Sequence, residues 1–172
     1  LVPPLSDKLE LLAMLNRRQV SYVRIGAPDA ELGDSVGFNN QQAAFALTDY
    51  LLQLGHRDIG FVLGHPDQGS SKRCEQGFRQ AFSNAALPFP TTRLVQGYYT
   101  FESGVEAAGL LLDGATRPSA IIASNDEMAV GVLYAAHSRG LRVPEDVSVV
   151  GIDDITLTTK VWPSLTTMRQ PI

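Results

Sequence analysis

Two pairs of polar residues stand directly after segments that have the composition of buried strands. The apolar segment Ala120–Ala123 leads to the pair Asn125-Asp126, and the segment Val147–Gly151 leads to the pair Asp153-Asp154. The carboxyl ends of neighbouring parallel strands are where open α/β sheets bind small ligands. An amide offers both donors and acceptors, and a carboxylate accepts strong charge-assisted hydrogen bonds. The pattern therefore predicts a site that binds a polar small molecule.

Each of these side chains also has a structural alternative. Asn125 precedes a helical stretch, and this spacing favours a helix N-cap. Asp153 could equally cap a turn in the loop that follows its strand. Asp154 is expected to be structural or to face solvent. The residues alone leave these alternatives open.

Metal binding and catalysis find less support. His56, His65 and His137 have no metal-ligand spacing with one another or with Cys74, so no zinc site and no other metal site is predicted. The aspartates after the two strands could be imagined as a Mg²⁺ or general-acid cluster. No nucleophile motif and no glycine-rich phosphate loop accompanies them, however. We therefore expect a non-enzyme without a cofactor, with an α/β enzyme as the weakest of three hypotheses.

Composition and charge narrow the class of protein further. The chain has 172 residues, 44% hydrophobic and 19% charged, which is typical of a soluble globular domain. The formal net charge is −4 and Lys and Arg form no run, so this segment itself is not expected to contact DNA. No apolar run approaches the roughly 20 residues that span a bilayer, and no membrane partner is predicted. Cys74, the single cysteine, suits a reducing compartment, and the cytoplasm is the expected location.

Strands and helices are predicted to alternate along the chain. Apolar runs predict strands, and apolar residues at helical spacing predict helices. The predicted strands are Ser21–Ile25, Val36–Phe38, Ile59–Leu63, Arg93–Gln96, Ala120–Ala123 and Val147–Gly151. The predicted helices run from about Ser6 to Arg18, from Asn39 or Asn40 to Gly55, from Ser71 to Ala85, from Ser103 to Leu112 and from Glu127 to Arg139. Alternation of this kind predicts an α/β fold, a parallel sheet sandwiched by helices.

Five segments, in a fixed order, resemble the effector-sensing domain of LacI/GalR-type bacterial transcription regulators. They are LTDYLLQLGHRDIGFVLG, QGFRQAF, SNDEMAVGVL, GLRVPEDVSVVGIDD and PSLTTMRQP. The resemblance implies a periplasmic-binding-protein-like sensor, in which two α/β lobes close around an effector, with one lobe incomplete here. It places the crossovers between the lobes at Phe38-Asn39 and Arg169-Gln170.

The crossovers divide the chain into three parts. Residues 1–38 are expected to be a partial N-terminal lobe, residues 39–169 the C-terminal lobe, and residues 170–172 the crossover back. Because residue 1 is Leu rather than Met, the chain is expected to be a piece of a longer protein. The DNA-reading headpiece of the family is not in this chain.

The resemblance also implies a set of ligand-binding residues. Asn125 and Asp153 match the family's SND and GIDD motifs, with Asp126 as the helix cap or an anchor within the lobe. Tyr99 stands where the family often carries an aromatic residue against the effector, and an aromatic ring suits the apolar face of a sugar. Tyr98 and Phe101 are rivals for this role.

Three further residues are predicted at or near the cleft. Phe38 at the first crossover could stack on the effector or simply pack in the core. Gln170 at the second crossover could reach the cleft. The family's arginine stands three residues before the glycine of its G-F/Y pair, where this chain has Cys74. Either Arg73 reaches in from the neighbouring position, about 100° around the helix, or the contact is missing; we favour Arg73. A redox role for Cys74 is a weaker idea, since a buried thiol is usually inert.

The resulting functional hypothesis is an effector sensor of a LacI/GalR-like regulator. The expected effector is a small molecule, preferably a carbohydrate, although purine-sensing relatives use a similar layout. The expected partners are operator DNA, through the absent headpiece, and a second copy in a homodimer. The alternative from a different class is a solute-binding protein of a sugar transport system, which shares the fold.

Overall fold

The computed structural model describes residues 8–26 and 33–170. Predictions that fall on residues 1–7, 27–32 and 171–172, including the start of the first predicted helix, lie outside the described residues. The first helix, α1, is described as Leu9–Arg17. The strands β1 (Arg24–Ile25) and β2 (Ser35–Val36) follow it and pair in parallel as a separate two-stranded sheet.

The larger part of the chain is a five-stranded, fully parallel sheet. Its strands, in the order in which they lie side by side, are β4 (Leu94–Gln96), β3 (Ile59–Leu63), β5 (Ala120–Ala123), β6 (Ser148–Asp153) and β7 (Thr166–Arg169). The prediction of a parallel sheet is confirmed. The strand β6 continues to Asp153 rather than ending at Gly151, because β7 pairs with it as far as Arg169.

Four helices cover the two faces of this sheet. They are α2 (Asn40–Gln53), α3 (Gly69–Asn84), α4 (Phe101–Leu112) and α5 (Asp126–Ser138). Two short 3₁₀ helices, Thr91–Arg93 and Thr156–Thr159, lie in the connections. The crossover between parallel strands in one sheet needs such a covering element, and helices on both faces leave the strands buried on both sides.

The core consists of two apolar layers separated by the sheet. Successive side chains of β5 point to opposite faces, so Ile122 packs under α2 and α3 while Ile121 packs under α4 and α5. Aromatic rings fill the first layer, where the ring of Phe78 lies 4.8 Å from that of Phe61 and 5.1 Å from that of Phe82. These layers hold the carboxyl ends of the strands rigidly in place.

Two local features determine where α2 begins and how closely α3 packs against it. The Asn39 side chain accepts a hydrogen bond from the backbone N–H of Gln42 at 2.9 Å and caps α2, as expected for this position. The absence of a side chain at Gly77 lets α3 lie close against α2, since a Cβ there would stand 2.1 Å from the carbonyl oxygen of Gln41.

None of the helices in the described ranges is long and apolar enough to cross a membrane.

Candidate functional site

A cleft of about 450 Å³ opens at the carboxyl ends of the central strands. Its walls come from the ends of the five strands β3 to β7 and the loops that follow them, from the end of β1, and from the segment that joins β2 to α2. The residues that line it are Ile25, Gly26, Val36, Gly37, Phe38, Asn40, Gln68, Ser70, Tyr99, Ser124, Asn125, Asp153 and Gln170. Five of the six predicted ligand-binding residues therefore share one cleft, and Arg73 is the one that does not.

Asn125 caps the helix α5 and also lines the cleft. Its side-chain oxygen accepts a hydrogen bond from the backbone N–H of Met128 at 3.0 Å, so it is the N-cap of α5. Its amide nitrogen donates to the carbonyl oxygen of Tyr99 at 3.1 Å. Of the two roles predicted for Asp126, cap or anchor within the lobe, the cap is not found, because Asp126 is already the first residue of the helix. Asn125 lines the cleft with its amide held in one orientation.

Asp126 is instead an anchor inside the lobe. It is fully buried, and its carboxylate accepts hydrogen bonds from the Ile155 backbone N–H at 3.0 Å and from the Thr167 hydroxyl. Burial raises the pKa of this carboxyl, and the same hydrogen bonds oppose the shift. The bonds tie the start of α5 to the loop after β6 and to β7. The loop that carries Asp153 is thereby fixed from both sides.

Asp153 is a half-buried acid at the tip of β6. Burial, and then the charge of Asp126, raise the pKa of Asp153 to about 7, while a hydrogen bond from Gln170 lowers it. The amide nitrogen of Gln170 donates to Oδ1, which leaves the second carboxylate oxygen for another donor. The backbone of Asp153 has a φ of 133°, and that of Asp154 has a φ of 62°. Such conformations cost energy for residues other than glycine and cluster at functional sites.

Asp154 has the structural role that was expected for it. Its carboxylate forms an ion pair with Arg169 on the neighbouring strand, and it does not line the cleft. The two adjacent acids are therefore used differently, because the turn at φ 62° points them apart.

Tyr99 is one of two aromatic residues among the described lining residues of the cleft, the other being Phe38. Its hydroxyl lies 2.9 Å from the hydroxyl of Ser70, and burial raises the pKa of the phenol to about 12. The ring occupies the space over Gly64, where a Cβ would stand 2.0 Å from the ring carbon Cζ. Its rivals lie elsewhere: Tyr98 is half exposed with its ring edge against His65, and Phe101 packs on the ring of an α5 tyrosine. Tyr99 is backbone-strained as well, with a φ of 65°.

Phe38 both packs and lines the cleft. Part of its surface contacts the core layer under α2 and α3, and the rest forms a wall of the cleft. The two alternatives raised by its sequence position are thus compatible. Whether its exposed face contacts a ligand stays a prediction.

Arg73 lines a neighbouring cavity instead of this cleft. Its Nη2 atom donates to the backbone oxygen of Gly26 at 3.2 Å. Cys74, one position further along α3, is buried in the core, and burial raises the pKa of its thiol to about 12. A thiol with a raised pKa has little thiolate and is inert, which argues against a redox role. The 100° step between the two positions therefore directs Arg73 to the cavity and Cys74 to the core.

Several cleft residues were not predicted from the sequence. Ser124 donates its hydroxyl to the carbonyl oxygen of Val62 at 2.8 Å, and Ser70 bonds Tyr99 from the first turn of α3. Asn40 and Gln68 also line the cleft. The available signals were the serine that opens the SND motif and the polar run before α3, but neither indicates a cleft without the fold. Within the described residues, no three His, Cys, Asp or Glu side chains form a group that could hold a metal ion.

Comparison with known proteins agrees with this architecture. Residues 48–172 match the family described as periplasmic binding protein-like domain. The chain is 37% identical over 167 residues to the HTH-type transcriptional regulator DegA of Bacillus subtilis, an alignment that covers 96% of this chain and 49% of DegA. The chain spans about half the length of the curated relatives that it matches.

Two solved structures have closely similar folds. A regulatory protein of the LacI family from Chloroflexus aggregans superposes with a TM-score of 0.86 at 30% identity, over 94% of this chain and 58% of that protein. The transcriptional regulator CelR in complex with cellobiose gives a TM-score of 0.87 at 34% identity, over 95% of this chain and 51% of CelR. The chain therefore belongs to the periplasmic binding protein-like family, in the form found in LacI-type transcription regulators.

Proposed function

We propose that this chain is the effector-binding part of a LacI-type transcription regulator. The observation that carries the proposal is that Asn125 and Asp153, at the ends of adjacent parallel strands, line one cleft. Both side chains are held by hydrogen bonds to the protein, and the second carboxylate oxygen of Asp153 has no side-chain donor in the described part of the chain. Open α/β sheets bind ligands at this edge.

The effector is a small, hydroxyl-rich molecule, preferably a carbohydrate. The cleft offers an acid, amides and hydroxyls from Asp153, Asn125, Gln170 and Ser124, together with the ring of Tyr99. Hydroxyl groups match such donors and acceptors, and the C–H face of a sugar packs on an aromatic ring. CelR, a regulator of similar fold, was solved with cellobiose. A purine would use the same acid and amide through its ring nitrogens.

Residues 1–38 belong to the N-terminal lobe, residues 39–169 form the C-terminal lobe, and residues 170–172 begin the return crossover. The separation of the β1–β2 pair from the five-stranded sheet supports this division. An effector that binds the closed arrangement of the lobes more tightly than the open one shifts their populations. This shift changes the affinity of a DNA-binding headpiece for its operator.

The regulator acts as a homodimer in the cytoplasm, and two headpieces read a palindromic operator. Two of the exposed aromatic side chains on the C-terminal lobe are Trp162, which is 85% exposed, and Tyr134, which packs on Phe101 and is 58% exposed.

The site binds its ligand and does not transform it. Asp153 is the only acid among the described lining residues, and no group of three His, Cys, Asp or Glu side chains that could hold a metal ion occurs within the described residues. The alternative of a transport solute-binding protein is not favoured, since the relatives found are transcription regulators.

The test is calorimetric titration of the full-length protein against a panel of neutral sugars and purines, paired with operator binding. Asp153→Asn should weaken binding of the recognised effector at least tenfold, the loss of about one charge-assisted hydrogen bond. Asp113→Asn, at the exposed end of α4, is the matched control and should leave binding unchanged. An operator affinity indifferent to every molecule that binds would contradict the regulatory role.

A further inference from the structure

A second cavity adjoins the effector cleft. It has a volume of about 670 Å³ and lies between the start of α2 and the first turns of α3. Its lining residues are Gly37, Phe38, Asn39, Gln41, Gly69, Lys72, Arg73 and Gln76. Gly37 and Phe38 line both cavities, so one short segment forms the partition between them.

The second cavity is positively charged and the effector cleft is not. Two cations, Lys72 and Arg73, line the second cavity, and no carboxylate lies among the lining residues that the structure describes. Glu75, the nearest acid along α3, is ion-paired with Arg79 at 2.7 Å. Lys72 makes no ion pair within the described ranges 8–26 and 33–170. The charge of the two cations is thus uncompensated by the described walls of the cavity.

The Arg73 guanidinium has unused donor capacity. Its Nη2 atom is bonded to the Gly26 carbonyl, but its Nε atom is buried and has no hydrogen-bond partner in the described part of the chain. More than nine in ten buried polar groups are hydrogen-bonded, and an orphaned donor on a charged group is costly. Arg73 also lines the second cavity.

The remaining walls suit an anion as well. The amides of Asn39, Gln41 and Gln76 lie around the two cations and can donate hydrogen bonds. The first turn of α3 carries no acidic residue, and the positive end of its dipole lies at this side. Arginine and lysine together, with amide donors, are the groups with which proteins recognise phosphate.

We propose that this second cavity binds an oxyanion of the phosphate class, separate from the effector cleft. A free phosphate ion and the phosphate group of an organic monoester present the same oxygens, and the site recognises those oxygens. Arg73 and Lys72 supply the charge, and the amides orient the anion. Because Arg73 also holds the carbonyl of Gly26 and because Phe38 separates the cavities, the anion stabilises the crossover segment beside the effector cleft.

The experiment is calorimetric titration of the full-length protein with inorganic phosphate and, in a second arm, with methyl phosphate, at low ionic strength. Arg73→Gln and Lys72→Gln should each weaken binding at least tenfold, as expected for the loss of one charge-assisted bond. Arg79→Gln is the control on the same helix and should change affinity less than twofold. Tighter binding of methyl phosphate than of phosphate would identify the organic source, and the reverse order would identify the free ion.

Two outcomes overturn the proposal. One is that neither phosphate nor methyl phosphate binds the wild-type protein, and the other is that Arg79→Gln loses as much affinity as Arg73→Gln. Lys72→Gln preserves the test if Arg73→Gln fails to fold, because the Lys72 side chain is exposed. Asp153→Asn should leave phosphate binding intact, so failure of the effector site and failure of this site are distinguishable.

Discussion

The amide nitrogen of Asn125 lies 3.1 Å from the carbonyl oxygen of Tyr99 and donates a hydrogen bond to it. This bond joins the loop after β5 to the loop after β4, although the strand β3 lies between the two in the sheet. The oxygen of the same amide caps α5. One side chain therefore orients a helix, an aromatic residue and a cleft wall.

The two bonds of Asn125 can be separated by substitution. Asn125→Asp keeps the capping oxygen and loses the donor to Tyr99, whereas Asn125→Ala loses both. We expect Asn125→Ala to lower the free energy of unfolding by about 2 kcal/mol, of which the cap contributes about half. Urea unfolding of both variants measures the difference. Equal destabilisation by the two variants would show that the cap contributes nothing.

The stability of the folded lobe should depend on the ionisation of Asp153. The folded pKa of about 7 lies above the unfolded value of about 3.9, so the folded state binds the proton more tightly. The stabilisation that results is fully present below pH 3.9 and is lost as the pH rises through 7. The burial of Asp126 raises its pKa and adds a change of the same sign.

Comparison with Asp153→Asn isolates the contribution of Asp153 to this pH dependence. Wild-type protein should lose about 1–2 kcal/mol more stability than the variant between pH 5 and pH 8, after discounting for solvent screening. Urea unfolding at the two pH values checks this. Parallel pH profiles for the two proteins would contradict an elevated pKa at Asp153.

Removal of the Asp126 carboxylate should destabilise the lobe and disturb the cleft. Asp126→Ala leaves the buried N–H of Ile155 and the hydroxyl of Thr167 without their acceptor, at a cost of roughly 3 kcal/mol. Asp126→Asn retains one acceptor oxygen and should cost less. Thermal unfolding ranks the variants. A wild-type melting temperature for Asp126→Ala would show that the anchor is dispensable.

The place of the Tyr99 ring can be tested from its neighbour Gly64. Gly64→Ala puts a Cβ 2.0 Å from ring carbon Cζ, so the ring must leave its position. We expect effector affinity to fall tenfold or more, because the Tyr99 ring is displaced from its place in the cleft wall. Gly114→Ala is the matched control, since its Cβ meets nothing closer than 3.5 Å. Titration of both variants with the recognised effector decides the matter, and unchanged affinity in Gly64→Ala would exclude Tyr99 from binding.

The sequence predicts the layers of the fold better than the walls of its cleft. Strands such as Ile59–Leu63 and Ala120–Ala123 have the predicted bounds, because a short uninterrupted apolar run between polar residues is typical of a buried strand. Asn125 could be placed at the cleft edge because strand ends meet there. The direction of the Arg73 side chain could not be predicted, since a shift of one position along a helix rotates a side chain by about 100° around the helix axis.

Side chains contributed by other loops were the hardest to foresee. Ser70 and Gln68 reach the cleft only because α3 starts beside the loop that carries Tyr99. Nothing in their local pattern separates them from an ordinary polar turn. The anchoring role of Asp126, as distinct from the capping role of Asn125, was likewise hard to predict. It depends on a hydrogen bond from Thr167, which is 41 residues away from Asp126 in the chain.

Gln170 is the first residue beyond the edge strand β7, and its amide bonds the Asp153 carboxylate. Any tilt of the chain that continues from Gln170 must therefore either carry this amide along or pull it away from the acid. If the chain bends at Gln170 between the two proposed lobes, the bend therefore alters the proton affinity of the Asp153 carboxyl as well as its exposure.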